Sequence, residues 1–143
     1  MEKSRLKGRE ILKDYCFEPA NMYSPLVLAY IGDAVYEAYV RCSIVSTGNM
    51  PVHKLHKAAT GFVKAKAQSD LMEKILPLLT EKETAVFKRG RNAKSATSPK
   101  NADIVDYRRA TGFEALVGYL YIAGKKDRLI ELLDSCIDFN KHE

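Results

Sequence analysis

A chain of 143 residues with 46% hydrophobic and 29% charged residues has ordinary globular usage and the length of one domain, about 100–200 residues. That length leaves no room for a full catalytic domain plus a separate binding domain of ordinary size. The formal charge of +5, from 23 Lys and Arg against 18 Asp and Glu, tilts the chain toward a polyanionic partner. Cys16, Cys42 and Cys136 are odd in number and scattered, with no C-x-x-C pair. A disulfide framework and a zinc cluster are therefore not expected, and a reducing, cytoplasmic compartment is. The charged start MEKSRLKGREILKDY has no apolar run behind it, so it does not read as a signal peptide. The most apolar stretch, 25–40, carries Asp33 and Glu37 and does not read as a membrane span.

Helical signals run along the whole chain, and no sustained period-two alternation or Asn-Gly hairpin turn interrupts them. A short amphipathic segment over 4–15 leads into the loop FEPANMYS. Ser24 and Pro25 read as N-cap and first helical position of a long helix to about residue 46. After the turn residues STGNMP, Pro51 starts a helix expected to reach about residue 76, with a bend at Gly61. Thr80 with Glu83 three residues later predicts a capping box for a helix into Phe87. The stretch KRGRNAKSATSPKN, with Gly90 and Pro99, reads as a mobile basic loop. A long helix over 102–123 stops at Gly124, and an amphipathic one covers 127–139. The expected architecture is an all-α bundle, one unit over 1–143, with an N-terminal helix and loop over 1–23 and a core bundle over 24–139.

Charge is unevenly placed. Residues 88–100 hold five Lys or Arg and no acid, and His53, Lys54, His56, Lys57, Lys64 and Lys66 mark a second basic cluster. Such runs commonly form a solvated helix face, but the acid-free stretch favours a surface that contacts phosphates. Acids collect at the end instead, at Asp127, Glu131, Asp134 and Asp138. His53 and His56 lie three apart with nothing nearby to complete a metal site. Cys42 reads as a packing residue, and Tyr30, Tyr36, Tyr39, Tyr119 and Tyr121 as core or dimer interface.

Two acids sit where acids are unusual. Asp33 follows Gly32 inside the apolar run LAYIGDAVYEAYVR, with Glu37 one turn later on the same face. Glu114 stands in TGFEALVGYLYIAG, a turn before Gly118. Burying an unpaired carboxylate costs several kcal/mol, so each acid needs a partner. Arg41, Arg108, Arg109 or a tyrosine hydroxyl could supply one. Glycine inside a helix costs roughly 1 kcal/mol against alanine, which Gly32 and Gly118 would offset by letting two helices approach closely. If those helices cross, Asp33 and Glu114 converge into an oxygen-ligand site suited to Mg²⁺ or Mn²⁺.

At these residues the chain resembles the ribonuclease III family. IGDAVYE is similar to the family's signature helix, which carries a catalytic aspartate, and FEALVGYLYIAG to the segment carrying its catalytic glutamate. Order, spacing and the intervening basic region fit over about residues 24–139, and the absence of a following double-stranded-RNA-binding domain is similar to the mini-ribonuclease branch. The resemblance implies a ribonuclease III-like endonuclease bundle in which Asp33 and Glu114 are catalytic and hold Mg²⁺, with Mn²⁺ possible. It implies a homodimer whose subunits each cut one strand of an RNA duplex, leaving short 3′ overhangs, and a ribosomal RNA (large-subunit) precursor as substrate. Lys54, Lys57, Lys88, Arg89, Arg91 and Lys94 are the expected phosphate contacts. Two further family acids are replaced, by Ala29 four residues before Asp33 and by Thr111 three before Glu114, and Glu37 is the nearest spare carboxylate. The competing expectation is a helical module that binds duplex RNA without cutting it. A helix-turn-helix DNA-binding protein lacks a clear basic recognition helix.

Overall fold

The computed structural model describes residues 12–94 and 103–141, and its regular elements there are all helical. After a 3-10 turn at Ala20–Met22 come α1 (Pro25–Thr47), α2 (Val52–Val63), α3 (Ala65–Ile75), α4 (Glu81–Asn92), α5 (Ile104–Ile122) and α6 (Lys126–Cys136). Short 3-10 turns at Leu76–Leu78 and Phe139–Lys141 complete the chain. No helix among the described residues is long and apolar enough to cross a membrane.

Local chemistry sets most helix ends. Ser24 Oγ accepts the Val27 N–H at 3.3 Å ahead of Pro25. Thr80 and Glu83 form the expected reciprocal box, at 3.2 and 2.9 Å. Asp103 caps α5 by accepting from the Val105 and Asp106 amides. At its far end Gly124 takes φ +75, and the Lys125 and Gly124 amides return to the Leu120 and Tyr121 carbonyls, a Schellman close.

The centre of the bundle is α5. Residues 115–120 are buried without a gap, so this helix is covered on all sides, by α1, α3, α4 and α6. Its Phe113 is fully buried and meets the Tyr36 ring of α1 edge-on, centroids 4.8 Å apart. The Tyr36 hydroxyl donates to the Phe62 carbonyl at 3.1 Å, which ties α1 to the end of α2. Where α1 crosses α5 the backbones nearly touch. A Cβ on Gly32 would overlap the Glu114 carbonyl, and one on Gly118 the Leu28 carbonyl.

Four expectations needed correction. The basic stretch begins as helix: Lys88, Arg89 and Arg91 belong to the last turns of α4, and only from residue 93 does the chain leave it. Gly90 stays helical because it is a packing site, where a Cβ would come within 2.7 Å of Ala115 Cβ and 3.0 Å of Gly112 Cα. Residues 95–102, the rest of the expected loop, lie outside the described residues. The chain passes straight through Gly61 and breaks instead at Lys64, whose extended ψ of 155 separates α2 from α3. Of the expected N-terminal helix, 12–15 are described and are not helical, and 4–11 lie outside the described residues. Cys42 is exposed rather than packed.

Candidate active site

The glycine crossing also assembles the acids. Asp33 follows Gly32 in α1, and Glu114 is the residue whose carbonyl Gly32 packs against in α5. Asp33 is exposed and Glu114 half-buried. Their side chains reach each other: burial, then the negative charge of Asp33, then a hydrogen bond with Asp33 push the Glu114 carboxyl up to about 8. Burial and the neighbouring Asp33 thus favour the protonated form of the Glu114 carboxyl at neutral pH. The Gln68 amide of α3 reaches the same carboxyl and acts the other way.

No ion pair among the described residues involves Asp33 or Glu114. Of the arginines that could have neutralised them, Arg41 is engaged with Glu37 at 2.6 Å and Arg109 with Glu73 at 3.1 Å, and Arg108 forms no ion pair among the described residues. Glu37 is thus a paired surface acid. Ala29 is buried, and the Thr111 hydroxyl donates to the Tyr107 carbonyl at 3.0 Å, so neither replaced position offers a carboxylate.

The donor set defines which ion would suit. Among the described residues no group of three or more His, Cys, Asp or Glu could hold a metal; His53 and His56 are exposed on α2. Two hard carboxylates, one open to solvent, fit Mg²⁺, which keeps several waters and commonly takes one or two carboxylates plus substrate phosphate. An apolar groove of about 570 Å³ between α1 and α6, lined by Val35, Tyr39, Cys42, Leu129 and Ile130 among others, includes neither acid. The site is open, as a large substrate requires.

The expected phosphate contacts fall into two sets. Lys54 and Lys57 are exposed on α2. Lys88, Arg89 and Arg91 flank Gly90, which packs on the Thr111–Ala115 turn of α5 that carries Glu114. This set therefore stands on the helix whose Gly90 meets the α5 segment containing Glu114. Lys88 and Arg89 are exposed, as is Lys94 just past the helix, whereas Arg91 is half-buried with its guanidinium 5.6 Å from the Phe87 ring.

Gln68 was missed in the sequence. The signal was present: with Leu71, Met72 and Ile75 it makes an i, i+3, i+4, i+7 set, which puts a polar side chain on the buried stripe of α3.

The chain is similar to known proteins over most of its length. The Ribonuclease III domain model matches residues 26–125. A Mini-ribonuclease 3 from Thermoanaerobacter sp. is 49% identical over 134 residues, 94% of either chain. Another, from Brevibacillus brevis, is 52% identical over 113 residues, 79% of this chain and 84% of the relative. A crystal structure of a Fusobacterium nucleatum protein matches with TM-score 0.73 and 32% identity, over 79% of this chain and 90% of that one. Fold and site together define an all-α endonuclease bundle of the ribonuclease III type. The chain belongs to the ribonuclease III family, in its mini-ribonuclease branch, and is an endoribonuclease. That sets aside the non-catalytic reading.

Proposed function

We propose that the enzyme is a Mg²⁺-dependent nuclease that hydrolyses both strands of double-stranded RNA, with Asp33 and Glu114 as catalytic and metal-holding residues. The observation that carries this reading is the meeting of two carboxyls at the α1–α5 crossing with no ion pair to neutralise them among the described residues. Bound there, Mg²⁺ (or Mn²⁺) would supply an activated water and stabilise charge developing on the phosphate. Asp33 approaches from the open side and Glu114 from the half-buried side. Holding the cation would require Glu114 to be deprotonated, as metal-ligating carboxylates are. The basic residues at the end of α4 and just past it, Lys88, Arg89, Arg91 and Lys94, with Lys54 and Lys57 on α2, grip the duplex through its phosphates. Duplex RNA is recognised mostly by shape and backbone, so point charges suffice.

We further infer a homodimer. Met22, Leu26, Val27 and Tyr30 leave a large apolar surface exposed at the start of α1, Tyr30 at 79%, one turn from Asp33. A second copy covering that surface would relate two sites by a two-fold axis, as the antiparallel strands of a duplex demand. The catalytic domain comprises residues 1–143 with its core bundle over 24–139, the compartment is the cytoplasm, and the substrate is a structured ribosomal RNA precursor of the large subunit, as the mini-ribonuclease resemblance implies.

The test uses a labelled RNA hairpin drawn from such a precursor, with Mg²⁺. The parent cleaves it. Asp33→Asn and Glu114→Gln each lose on the order of 10³-fold or more in rate yet still retard the hairpin in a gel without metal. Undiminished cleavage by either variant rules out the assignment of that acid.

A further inference from the structure

Gln68 is 3% exposed, and both ends of its amide are accounted for in an unusual way. Its Nε2 donates to the Val63 carbonyl at 2.8 Å, one of the four carbonyls at the end of α2 that lack a helical partner. The side chain therefore bridges the break between α2 and α3, and it also reaches Glu114 on α5. Its Oε1 is buried and without a hydrogen-bond partner among the described residues. Leaving an amide oxygen bare in the interior costs about 1–3 kcal/mol. Turning the amide over does not relieve this, because Oε1 would then face the Val63 carbonyl, acceptor against acceptor. The orientation is set by the Val63 bond, and the bare oxygen belongs to the same amide that reaches Glu114. An amide oxygen only accepts, so what satisfies it brings an N–H, an O–H or a positive charge.

We propose that Gln68 is a positioning residue of the nuclease site: its amide orients Glu114, and its Oε1 accepts a hydrogen bond from a water in the shell of the cation that Asp33 and Glu114 hold. The inference rests on the metal reading above. It adds a third side chain, from a third helix, to a site otherwise built from two, and it makes cation affinity depend on the α2–α3 junction.

Mn²⁺ titrated into the RNA-free protein, followed by the electron paramagnetic resonance of the free ion, tests it with four proteins. The parent binds and Asp33→Asn does not; a parent that fails to bind overturns the metal reading itself, and this inference with it. Gln68→Leu is expected to weaken binding about tenfold, the usual scale for a group one step removed from the metal. Its melting temperature without metal should change little, since removing a bare buried oxygen offsets the loss of the N–H to the Val63 carbonyl. Gln68→Glu keeps the oxygen but loses the N–H to Val63, and is expected to bind within about threefold of the parent. Cleavage by Gln68→Leu, deficient at limiting Mn²⁺, should recover as Mn²⁺ is raised. Parent-like Mn²⁺ affinity in Gln68→Leu overturns the proposal. So does equal weakening in both Gln68 variants with a lowered melting temperature, which would make Gln68 only a structural tie.

Discussion

Glu83 and Glu114 are both glutamates turned into the same bundle, from helices α4 and α5 that pack on each other, and they are treated in opposite ways. Glu83 is 6% exposed, yet its carboxylate is fully engaged. Arg128 of α6 donates to both of its oxygens at 2.9 Å, and the Thr80 amide adds a third bond. The Arg128 hydrogen bond, opposed by burial and helped by the Thr80 contacts, holds its carboxyl below the ordinary range. Glu114 is more open, but its nearest charged neighbour is another acid, and its carboxyl is pushed up to about 8. The bundle can neutralise a buried glutamate well, and does so on α4. At the α1–α5 crossing it leaves the acids bare. A site that costs stability where the fold has the means to avoid the cost is a site kept for a ligand.

The widest way to break this comparison is to remove the cation from Glu83. Arg128→Met leaves a buried carboxylate uncompensated. Because Arg128 is itself 28% exposed, the expected loss is about 2–3 kcal/mol, the lower end for a broken buried pair. Roughly 6–12 °C in melting temperature should follow, with cleavage unchanged below the transition. Glu114→Gln, measured without divalent ions, should show the reverse pattern: lost cleavage and a melting temperature equal to or above the parent's. If Glu114→Gln melts as low as Arg128→Met, Glu114 is a structural acid and the comparison fails.

The two glutamates also slope oppositely with pH. Glu114 is raised in the folded protein, so the stability tied to its proton is full at acid pH and is lost as pH rises from the ordinary carboxyl range to about 8. Glu83 is lowered, so its contribution is present above the ordinary range and disappears only as pH falls through its folded value. Between pH 5 and 8 only Glu114 acts. Urea unfolding without divalent ions should lose about 1–2 kcal/mol across that window, discounted for the partial exposure of Glu114. The Glu114→Gln variant should be flatter by that amount, and millimolar Mg²⁺ should offset the loss in the parent. Equal slopes in parent and variant would mean that the acid is not held protonated.

How much of this was legible in the sequence depends on how far each signal travels along the chain. An acid beside a glycine within an apolar helix is a local anomaly, and both Asp33 and Glu114 announced themselves that way. Their meeting was inferable because Gly32 and Gly118 serve one purpose, close backbone approach. The Thr80–Glu83 box was equally local. Its partner Arg128 was not, since it lies 45 residues from Glu83 and no periodicity links them. Gly90 misled for a physical reason. Glycine beside lysines and asparagine suggests a loop, whereas here its missing side chain is the space that α5 occupies. Of the expected cation surface, three residues, Lys88, Arg89 and Arg91, stand on a helix end rather than in a loop.

The finest division within the comparison is Glu37, an acid that is neither buried and paired like Glu83 nor bare like Glu114. It lies one turn from Asp33, and its Oε2 accepts from Arg41 at 2.6 and 3.1 Å across an i, i+4 spacing. Both side chains are substantially exposed, at 59% for Arg41 and 34% for Glu37. Such a pair is worth about 0.3–0.5 kcal/mol. Glu37→Gln should therefore change stability by about 0.5 kcal/mol or less. Cleavage should stay within about twofold, since a positively charged partner already satisfies this carboxylate and leaves it no share in the cation. A tenfold fall in cleavage at limiting Mg²⁺, recovered at high Mg²⁺, would place Glu37 among the groups that hold the ion. Distance along the helix from Asp33 would then matter more than the neutralising arginine.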